Sequence, residues 1–327
     1  MTKTKGIVLL QFGGPDSLES VEPFLYNLFS DNDIIQFPGG KLTQKIFAKI
    51  ISKLRYKKLR TKYAEIGGRS PIVEKTFEQQ KALQSYFDEK YGKDFAYVEL
   101  AMRYWKPFTS EAIRTLQAKG IRDIVLLPLY PQYSITNAGS SYNEWDKQKK
   151  RVKATFNERR IDQYYDHPFY IHAFTERIAQ SIAKFGDQSN IHILFSAHGT
   201  PLNIVERGDP YSGQIKETVE LVMKDLNKAY PYSLSYQSKV GPREWLTPDT
   251  ESTIEELGRN GIKKLLVVPV SFVSDHIETS HELDIEAREE AEKAGIEEFI
   301  VSEGLNNSPL FIEALADLAI KELEKFE

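Results

Sequence analysis

The sequence repeats one pattern, in which a helix is followed by a Gly-Ile turn and by an apolar strand that ends in proline. The first copy occupies residues 112–128 and the second occupies residues 253–269, a constant offset of 141. A shorter pair precedes them, because the apolar stretch that ends in Phe12-Gly-Gly-Pro matches the stretch that ends in His198-Gly-Thr-Pro. Two pairs in the same order predict two similar α/β lobes, which we expect to face each other across a cleft.

Short apolar runs alternate with longer helical patterns along the chain, which is typical of an α/β fold with mostly parallel sheets. The predicted strands are residues 6–12, 97–104, 124–130, 191–198, 234–238, 265–272 and 299–302, and clear amphipathic helices cover 110–119 and 250–260. We expect an N-terminal lobe at 1–160 and a C-terminal lobe at 161–307. The last helix, at about 308–327, is expected to pack back on the first lobe.

No cysteine occurs among the 327 residues, of which 41% are hydrophobic. That apolar content is enough for two cores. The lack of cysteine excludes disulfides, thiolate nucleophiles and cysteine-ligated iron–sulfur clusters. The first residues run into an apolar strand without a cleavage site, and no apolar run approaches the ~20 residues of a membrane span. These features predict a cytoplasmic protein.

A strongly basic segment lies near the N-terminus. Residues 34–64 contain nine lysines and arginines and no acidic residue, and lysines recur every four residues at 41, 45, 49 and 53. Apolar residues at helical spacing accompany them, and such a helix can lie on an anionic membrane. We predict peripheral membrane contact through 34–62, the alternative being a packed helix with one solvated lysine face. No nucleic-acid partner is expected, because aromatic residues are not interleaved with the basic ones.

A buried strand at 191–195 leads to His198, which a Gly-Thr-Pro turn follows. In an open α/β sheet, ligands bind beyond the carboxyl ends of the strands. This histidine is therefore expected to face a ligand. The pattern alone fits equally a histidine that bonds to a loop carbonyl.

Histidines and carboxylates follow the sixth predicted strand, beginning with Asp-His-Ile-Glu at 275–278. On a helix, Glu278, Glu282 and Glu286 share one face, where like charges repel unless a cation relieves them. Carboxylates with imidazole suit a divalent first-row metal, which predicts an open metal site. The alternative is a solvated acidic face, which accounts for the far end of the stretch but less well for its His-x-Glu start.

Two other activities fit poorly. Gly-Gly-Pro at 13–15 and Gly-Gly-Arg-Ser-Pro at 67–71 lack the glycine spacing of phosphate-binding loops, and proline lacks the N–H that such loops use. Ser196 precedes His198 by two residues, and no Gly-x-Ser-x-Gly occurs, which disfavours a serine hydrolase.

Six motifs, in one order over almost the whole chain, resemble those of the ferrochelatase family. They are Gln-Phe-Gly-Gly-Pro at 11–15, Ile-Gly-Gly-Arg-Ser-Pro at 66–71, Leu-Tyr-Pro-Gln-Tyr-Ser at 129–134, Ser-Ala-His-Gly at 196–199, Ser-Lys-Val-Gly-Pro at 238–242 followed by Trp245-Leu246, and Ser-Asp-His-Ile-Glu-Thr at 274–279. The resemblance implies two Rossmann-like lobes related by duplication, with a porphyrin between them. It implies insertion of Fe2+, as substrate, into protoporphyrin IX to give protohaem, the last step of haem biosynthesis, with no tightly bound cofactor.

The resemblance also implies roles for particular residues. His198 and Glu278 match the metal-binding and catalytic pair, which we expect to face each other across the ring, and Glu282 and Glu286 are expected to form the entry path for Fe2+. Supporting positions are matched by Ser196, Asp275 and His276. Expected porphyrin contacts are Phe12, Tyr63, Ser70, Tyr142 and Trp245.

Two departures and two alternatives accompany this interpretation. Some relatives carry a cysteine-ligated iron–sulfur cluster, which this chain cannot form. Relatives that metalate coproporphyrin often carry tyrosine where Phe12 stands, so this chain leans towards protoporphyrin. The alternatives are a chelatase for coproporphyrin III or another tetrapyrrole, and a porphyrin or haem carrier, which would not need the carboxylate row. The sequence does not assign an oligomeric state.

Overall fold

The computed structural model describes residues 4–35, 37, 39–239 and 243–326, and of residues 41 and 42 the backbone alone. Residues 240–242 of the fifth motif therefore lie outside the described residues, as does the side chain of Lys41. The chain divides into two compact units. Unit 1 is Met1–Gln163 with Ile312–Glu327, and unit 2 is Tyr164–Phe311.

Unit 1 contains a four-stranded parallel sheet in the order β2-β1-β3-β4. Its strands are β1 (Lys5–Gln11), β2 (Ala96–Met102), β3 (Asp123–Pro128) and β4 (Asn157–Arg160). Its helices are α1 (Val21–Phe29), α2 (Gly40–Glu65), α3 (Pro71–Tyr91), α4 (Thr109–Ala118), a π-helix (Ile135–Gly139) and α5 (Ser140–Arg151).

Unit 2 contains a second four-stranded parallel sheet, in the order β6-β5-β7-β8. Its strands are β5 (Ile191–His198), β6 (Tyr232–Gln237), β7 (Lys264–Pro269) and β8 (Glu298–Val301). Its helices are α6 (Pro168–Ile182), α7 (Leu202–Glu206), α8 (Tyr211–Asp225), α9 (Thr250–Arg259), a π-helix (Glu278–Glu286) and α10 (Ala287–Lys293). The last helix, α11 (Pro309–Leu323), begins in unit 2 and continues in unit 1, where the Lys5 ammonium donates to the Leu323 carbonyl at 2.9 Å.

The internal repeat is present in the structure. The bounds of α4 and α9, and those of β3 and β7, differ by the same 141 residues that separate the two sequence copies. The strand register repeats as well, because Leu10 pairs with Pro128 in unit 1 and Ser196 pairs with Pro269 in unit 2. The two sheets are therefore the same α/β unit built twice, which confirms the predicted fold class.

The central strands are buried almost throughout, as in other parallel sheets with helices on both faces. Seven strands were predicted within a few residues of their observed bounds. The edge strand β4 was not predicted, because its sequence, Asn-Glu-Arg-Arg, carries no apolar run. It pairs only with β3 in the described sheet, so its side chains need not be apolar.

The basic helix α2 turns its small residues inward. Ala48 and Ser52 are buried, and the amide of Gln44 donates to the carbonyl of Phe29 at 2.8 Å. The larger apolar residues Ile46, Ile50 and Leu54 are 61%, 49% and 75% exposed. The alternative of a packed helix that solvates only a lysine face is therefore wrong for this stretch. Among the described residues, no helix is both long and apolar enough to cross a bilayer.

Gly258 of α9 sets the contact between this helix and the end of α10. A Cβ at this position would lie 2.6 Å from the Cβ of Ala294 and closer still to its carbonyl oxygen. Gly258→Ala should lower the free energy of unfolding by about 1–3 kcal/mol, because the overpacking exceeds the gain in helix propensity.

Gly213 of α8 provides the matched control, since it is exposed and a Cβ there meets nothing within 4 Å. Gly213→Ala should raise stability by up to about 1 kcal/mol. Denaturant unfolding of both variants measures the difference, and equal shifts would contradict the close contact at Ala294.

Candidate active site

The carboxyl ends of β5, β6 and β7 lie side by side in unit 2, because these strands are neighbours in a parallel sheet. β5 ends at His198, and Ser238 follows β6. The segment after β7 leads into the π-helix that begins at Glu278. This edge of the sheet is where open α/β folds bind ligands.

His198 and Glu278 form a direct hydrogen bond. The Nδ1 of His198 donates to Oε2 of Glu278 over 2.9 Å, and the side chains are 41% and 27% exposed. The backbone of His198 is held on both sides, since its N–H donates to Ser271 Oγ at 2.9 Å and its carbonyl accepts from the Tyr211 hydroxyl at 3.0 Å. The imidazole is thus fixed at the end of β5 while part of it stays open to solvent.

This geometry corrects one expectation from the sequence. A planar ring between two groups needs about 3.5 Å on each side, whereas the two side chains are in contact. His198 and Glu278 therefore do not face each other across a macrocycle, and both belong to the same edge of the same sheet.

Burial and charge act on this pair in opposite directions. Burial disfavours the imidazolium, but the Glu278 carboxylate outweighs it and raises the pKa of His198 above its usual 6.5. Burial also disfavours the carboxylate, but the charges of His198 and His276 outweigh it and hold the pKa of Glu278 well below its usual 4.5.

The two shifts define a pH window for the pair. A raised histidine pKa contributes stability that is full below pH 6.5 and is lost as the pH rises through the raised value. A lowered glutamate pKa contributes stability that is full above pH 4.5 and is lost as the pH falls. The contribution of the pair to the stability of the folded state is therefore full between pH 4.5 and 6.5.

The helix that carries the acidic row is a π-helix over Glu278–Glu286, not the α-helix assumed from the sequence. Its i→i+5 bonding makes a wider turn, a feature often found at functional sites. Glu282 turns back to the end of β6, where Ser238 donates to it from its N–H and its hydroxyl, each at 2.7 Å. Burial raises the pKa of Glu282, and the charge of Glu278 raises it further.

Glu286 lies further along the π-helix, with its carboxylate 3.7 Å from Nδ1 of His281. Its side chain is 39% exposed. Across the described parts of the chain, no group of three or more histidine and acidic side chains is arranged to hold a metal ion. The site is thus a His–Glu pair with two further carboxylates on one helix.

Two residues expected to support the pair, Ser196 and His276, lie near it and make hydrogen bonds of their own. The Ser196 hydroxyl donates to the side-chain oxygen Oε1 of Gln237 at 2.8 Å, and the side-chain amide of Gln237 donates to the backbone carbonyl of Glu278 at 3.2 Å. His276 donates from Nδ1 to Ser274 O at 3.1 Å, which leaves its Nε2 3.7 Å from the Glu278 carboxylate.

The predicted porphyrin contacts are spread over the chain. Phe12 directly follows β1 and packs edge-on against Tyr104, with ring centroids 4.5 Å apart. Tyr63, Ser70 and Tyr142 are only 2%, 3% and 6% exposed, so each offers little surface to a ligand as it lies here. These four residues belong to unit 1.

Tyr142 also has a partner within unit 1. Its hydroxyl donates to the Ile161 carbonyl at 2.7 Å. Trp245 belongs to unit 2 and is partly exposed beside the turn that follows His198, where it pairs with Pro201. A Cβ on Gly199 would lie 3.3 Å from its ring, so glycine allows this close approach.

Sequence reasoning missed three residues of the site, Ser271, Tyr211 and Gln237, and it named Ser238 only as the start of the fifth motif. Gln237 and Ser238 stand at the end of a predicted strand, beside β5 in the sheet, so strand order would have indicated them. Tyr211 begins α8 and Ser271 lies in a turn, and neither carries a signal that sequence alone provides.

Comparison with solved structures places the fold among chelatases. SirB of Bacillus subtilis, solved with Fe3+, is 12% identical, with a TM-score of 0.56 over 98% of this chain and 95% of that chain. A multi-domain protein of Deinococcus radiodurans with structural similarity to chelatases gives the same TM-score and identity, and the chain spans 55% of its length.

Sequence comparison gives the particular family. The ferrochelatase family model matches residues 4–323. The ferrochelatase of Aquifex aeolicus is 49% identical over 98% of this chain and 99% of its own length. That of Gloeobacter violaceus is 48% identical over 97% of each. The chain belongs to the ferrochelatase family of metal chelatases, which confirms the resemblance seen in the motifs.

Replacing Glu278 should change the titration of His198. In Glu278→Gln, burial is opposed only by the weaker effect of the Glu282 charge, so the pKa of His198 should fall from its raised value. NMR titration of the imidazole signals measures it. Glu289→Gln, which neutralises an exposed glutamate of α10, should leave the titration as in wild type. An unchanged His198 pKa in Glu278→Gln would contradict the hydrogen-bonded pair.

Proposed function

We propose that the chain inserts Fe2+ into protoporphyrin IX to form protohaem. The observation that carries the proposal is the His198–Glu278 hydrogen bond at the carboxyl edge of the unit 2 sheet, in a chain of the ferrochelatase family. It joins a proton acceptor to an anionic group that attracts a cation. Metal insertion requires both functions at one place.

Insertion replaces two pyrrole N–H bonds by nitrogen–iron bonds, so two protons leave the ring for each Fe2+ that enters. Glu278 holds Nδ1 of His198, and Nε2 is therefore the ring nitrogen that accepts the first proton. The imidazole must be neutral for this step. Activity should thus rise with pH through the raised pKa of His198.

The two nearest carboxylates suit different tasks. Glu278 stays ionised because the neighbouring histidines lower its pKa, so it attracts Fe2+ and is a poor proton acceptor. Burial and the charge of Glu278 make Glu282 more basic, so we assign it the second proton. Glu286, further along the π-helix and partly exposed, extends the carboxylates into an entry path for the cation.

Phe12 supports protoporphyrin as the substrate. Coproporphyrin III carries two propionates where protoporphyrin IX carries two vinyl groups, so protoporphyrin is the less polar ring. Phe12 presents an apolar ring that is braced by the fully buried Tyr104. An apolar contact favours the vinyl-bearing ring, because burying a carboxylate without a partner is costly.

Anaerobic metalation tests the proposal. Fe2+ is added to protoporphyrin IX or coproporphyrin III, and the loss of porphyrin fluorescence is followed. Wild type should prefer protoporphyrin in kcat/KM by at least about tenfold. His198→Ala should lower kcat by about 10²-fold or more, because the proton acceptor is removed. Glu278→Gln should also be strongly impaired.

The matched controls are His172→Ala and Glu289→Gln, which alter an exposed histidine and an exposed glutamate outside the site. Both should metalate as wild type does. Porphyrin binding without metalation by wild type would instead indicate a carrier. A preference for coproporphyrin III would overturn the substrate assignment, and near-normal turnover in His198→Ala would remove this residue from the reaction.

We further propose that α2 docks the protein on an anionic membrane surface. Ile46, Ile50 and Leu54 are exposed on the same helix as the exposed Lys45 and Lys49. Apolar side chains beside lysines suit the boundary between anionic headgroups and acyl chains. Each lysine near the surface adds roughly 1 kcal/mol of attraction.

Co-sedimentation with vesicles tests the membrane proposal. Binding to vesicles that contain phosphatidylglycerol should fall in a triple Ile46→Ser, Ile50→Ser, Leu54→Ser variant, because the apolar contact is lost. It should also fall, with a weaker salt dependence, in Lys45→Gln, Lys49→Gln, Lys53→Gln. Phe77→Ser removes an exposed apolar residue of α3 and should bind as wild type does. Equal sedimentation of all variants would contradict docking through α2.

A further inference from the structure

The loop after β8 packs closely against the segment after β7. These strands are neighbours in the unit 2 sheet, so their loops leave the same edge together. Gly304 approaches so closely that a Cβ there would lie 3.1 Å from the backbone nitrogen of Asp275. The Asn306 backbone N–H donates to the Val273 carbonyl at 2.7 Å. This loop therefore fixes the chain just before the π-helix.

The side chain of Asn306 makes two hydrogen bonds with Asp275. Its side-chain oxygen accepts the backbone N–H of Asp275 at 3.1 Å, and its amide donates to Oδ2 of the Asp275 carboxylate at 2.7 Å. Asn306 is 5% exposed and has a φ of 47°, in the left-handed region that asparagine tolerates better than most residues. Both ends of one amide are thus used on one residue.

The Asp275 carboxylate also contacts the first residues of the active-site helix. Its Oδ1 accepts the Gly304 N–H at 3.0 Å and lies 3.3 Å from the Thr279 hydroxyl. That hydroxyl accepts the backbone N–H of His276 at 3.0 Å. Thr279 directly follows Glu278, so the start of the π-helix is tied through Asp275 to the loop after β8.

We propose that Asn306 is a positioning residue for metal insertion, which sets the placement of Glu278 and His276 by holding Asp275. This proposal rests on the proposed function. Asn306 does not touch the reacting atoms, so its substitution should affect the chemical step while porphyrin binding is kept. Outer partners of metal-binding residues commonly change activity by about 10–100-fold.

The chain offers a reciprocal exchange as the decisive test. Asn306→Asp sets a second carboxylate against Asp275, so the bond between the two side chains is lost. Asp275→Asn leaves residue 275 with a single acceptor oxygen, so it loses one of the two bonds from Asn306 and the Gly304 N–H. In the double variant Asp275→Asn, Asn306→Asp, the amide and carboxylate have changed places. The new aspartate accepts both the N–H and the side-chain amide of residue 275, and the Gly304 N–H keeps its acceptor.

Initial rates with Fe2+ and protoporphyrin IX give kcat and the KM for porphyrin. Asn306→Asp should lower kcat by about 10–100-fold with KM changed less than about twofold. The double variant should have a kcat about tenfold higher than that of Asn306→Asp. Asn306→Gly allows the left-handed backbone but lacks the side-chain hydrogen bonds, so it should also lower kcat. Asn307→Asp, the same change on the exposed neighbouring residue, should match wild type.

Each outcome decides the proposal. Thermal unfolding of every variant separates lost folding from lost positioning, because kcat is referred to the folded fraction. Normal kcat in Asn306→Asp, or a double variant no better than Asn306→Asp, would overturn the role of Asn306. A wild type that metalates no porphyrin would instead overturn the proposed function, so the two failures are distinct.

Discussion

The hydrogen bond between His198 and Glu278 depends on the parallel pairing of β5 with β7. The two residues are 80 positions apart in sequence, and only the strand order brings their chain segments to one edge. Each strand is buried along most of its length, so its register, and with it the position of its last residue, is fixed by packing. The sheet therefore brings the two chain segments together, and the contacts made by the loops beyond the strands complete the placement of Glu278.

Two carboxylates of the π-helix have pKa values that are shifted in opposite directions. Glu278 and Glu282 are the same residue type four positions apart, yet the pKa of the first is lowered and that of the second is raised. The difference lies in their partners, since Glu278 meets histidines and Glu282 meets the uncharged Ser238 beside a carboxylate. A solvated acidic face, without such partners, would not separate the two groups in this way.

The sequence contained enough information for the lobes and the central strands, and the family motifs indicated His198 and Glu278 but not their direct contact. Apolar runs and the repeat depend on local composition, which sequence shows directly. It could not supply β4, because polar residues at a sheet edge need no apolar pattern. It could not supply the π-helix either, because no residue pattern in this stretch marks i→i+5 bonding instead of i→i+4 bonding. The sequence did indicate that α2 could present apolar residues to a membrane. It left a packed helix open as the alternative, because Ala48 and Ser52 fill the packed side without marking it as apolar.

The two copies of the repeat carry different side chains at equivalent positions. After the third strand of each sheet the chain enters a π-helix, at Ile135–Gly139 in unit 1 and Glu278–Glu286 in unit 2. The offset of 141 aligns Asn137 with Glu278, and the shorter sequence pair, whose offset is 186, aligns Phe12 with His198. The side-chain oxygen of Asn137 accepts a local hydrogen bond from the N–H of Ser134 at 2.7 Å. The Glu278 carboxylate instead accepts a hydrogen bond from His198. One scaffold thus carries an aromatic ring and an amide in one copy and a titratable pair in the other. The chemistry therefore follows from two side chains at equivalent strand and helix ends, and not from a difference in fold.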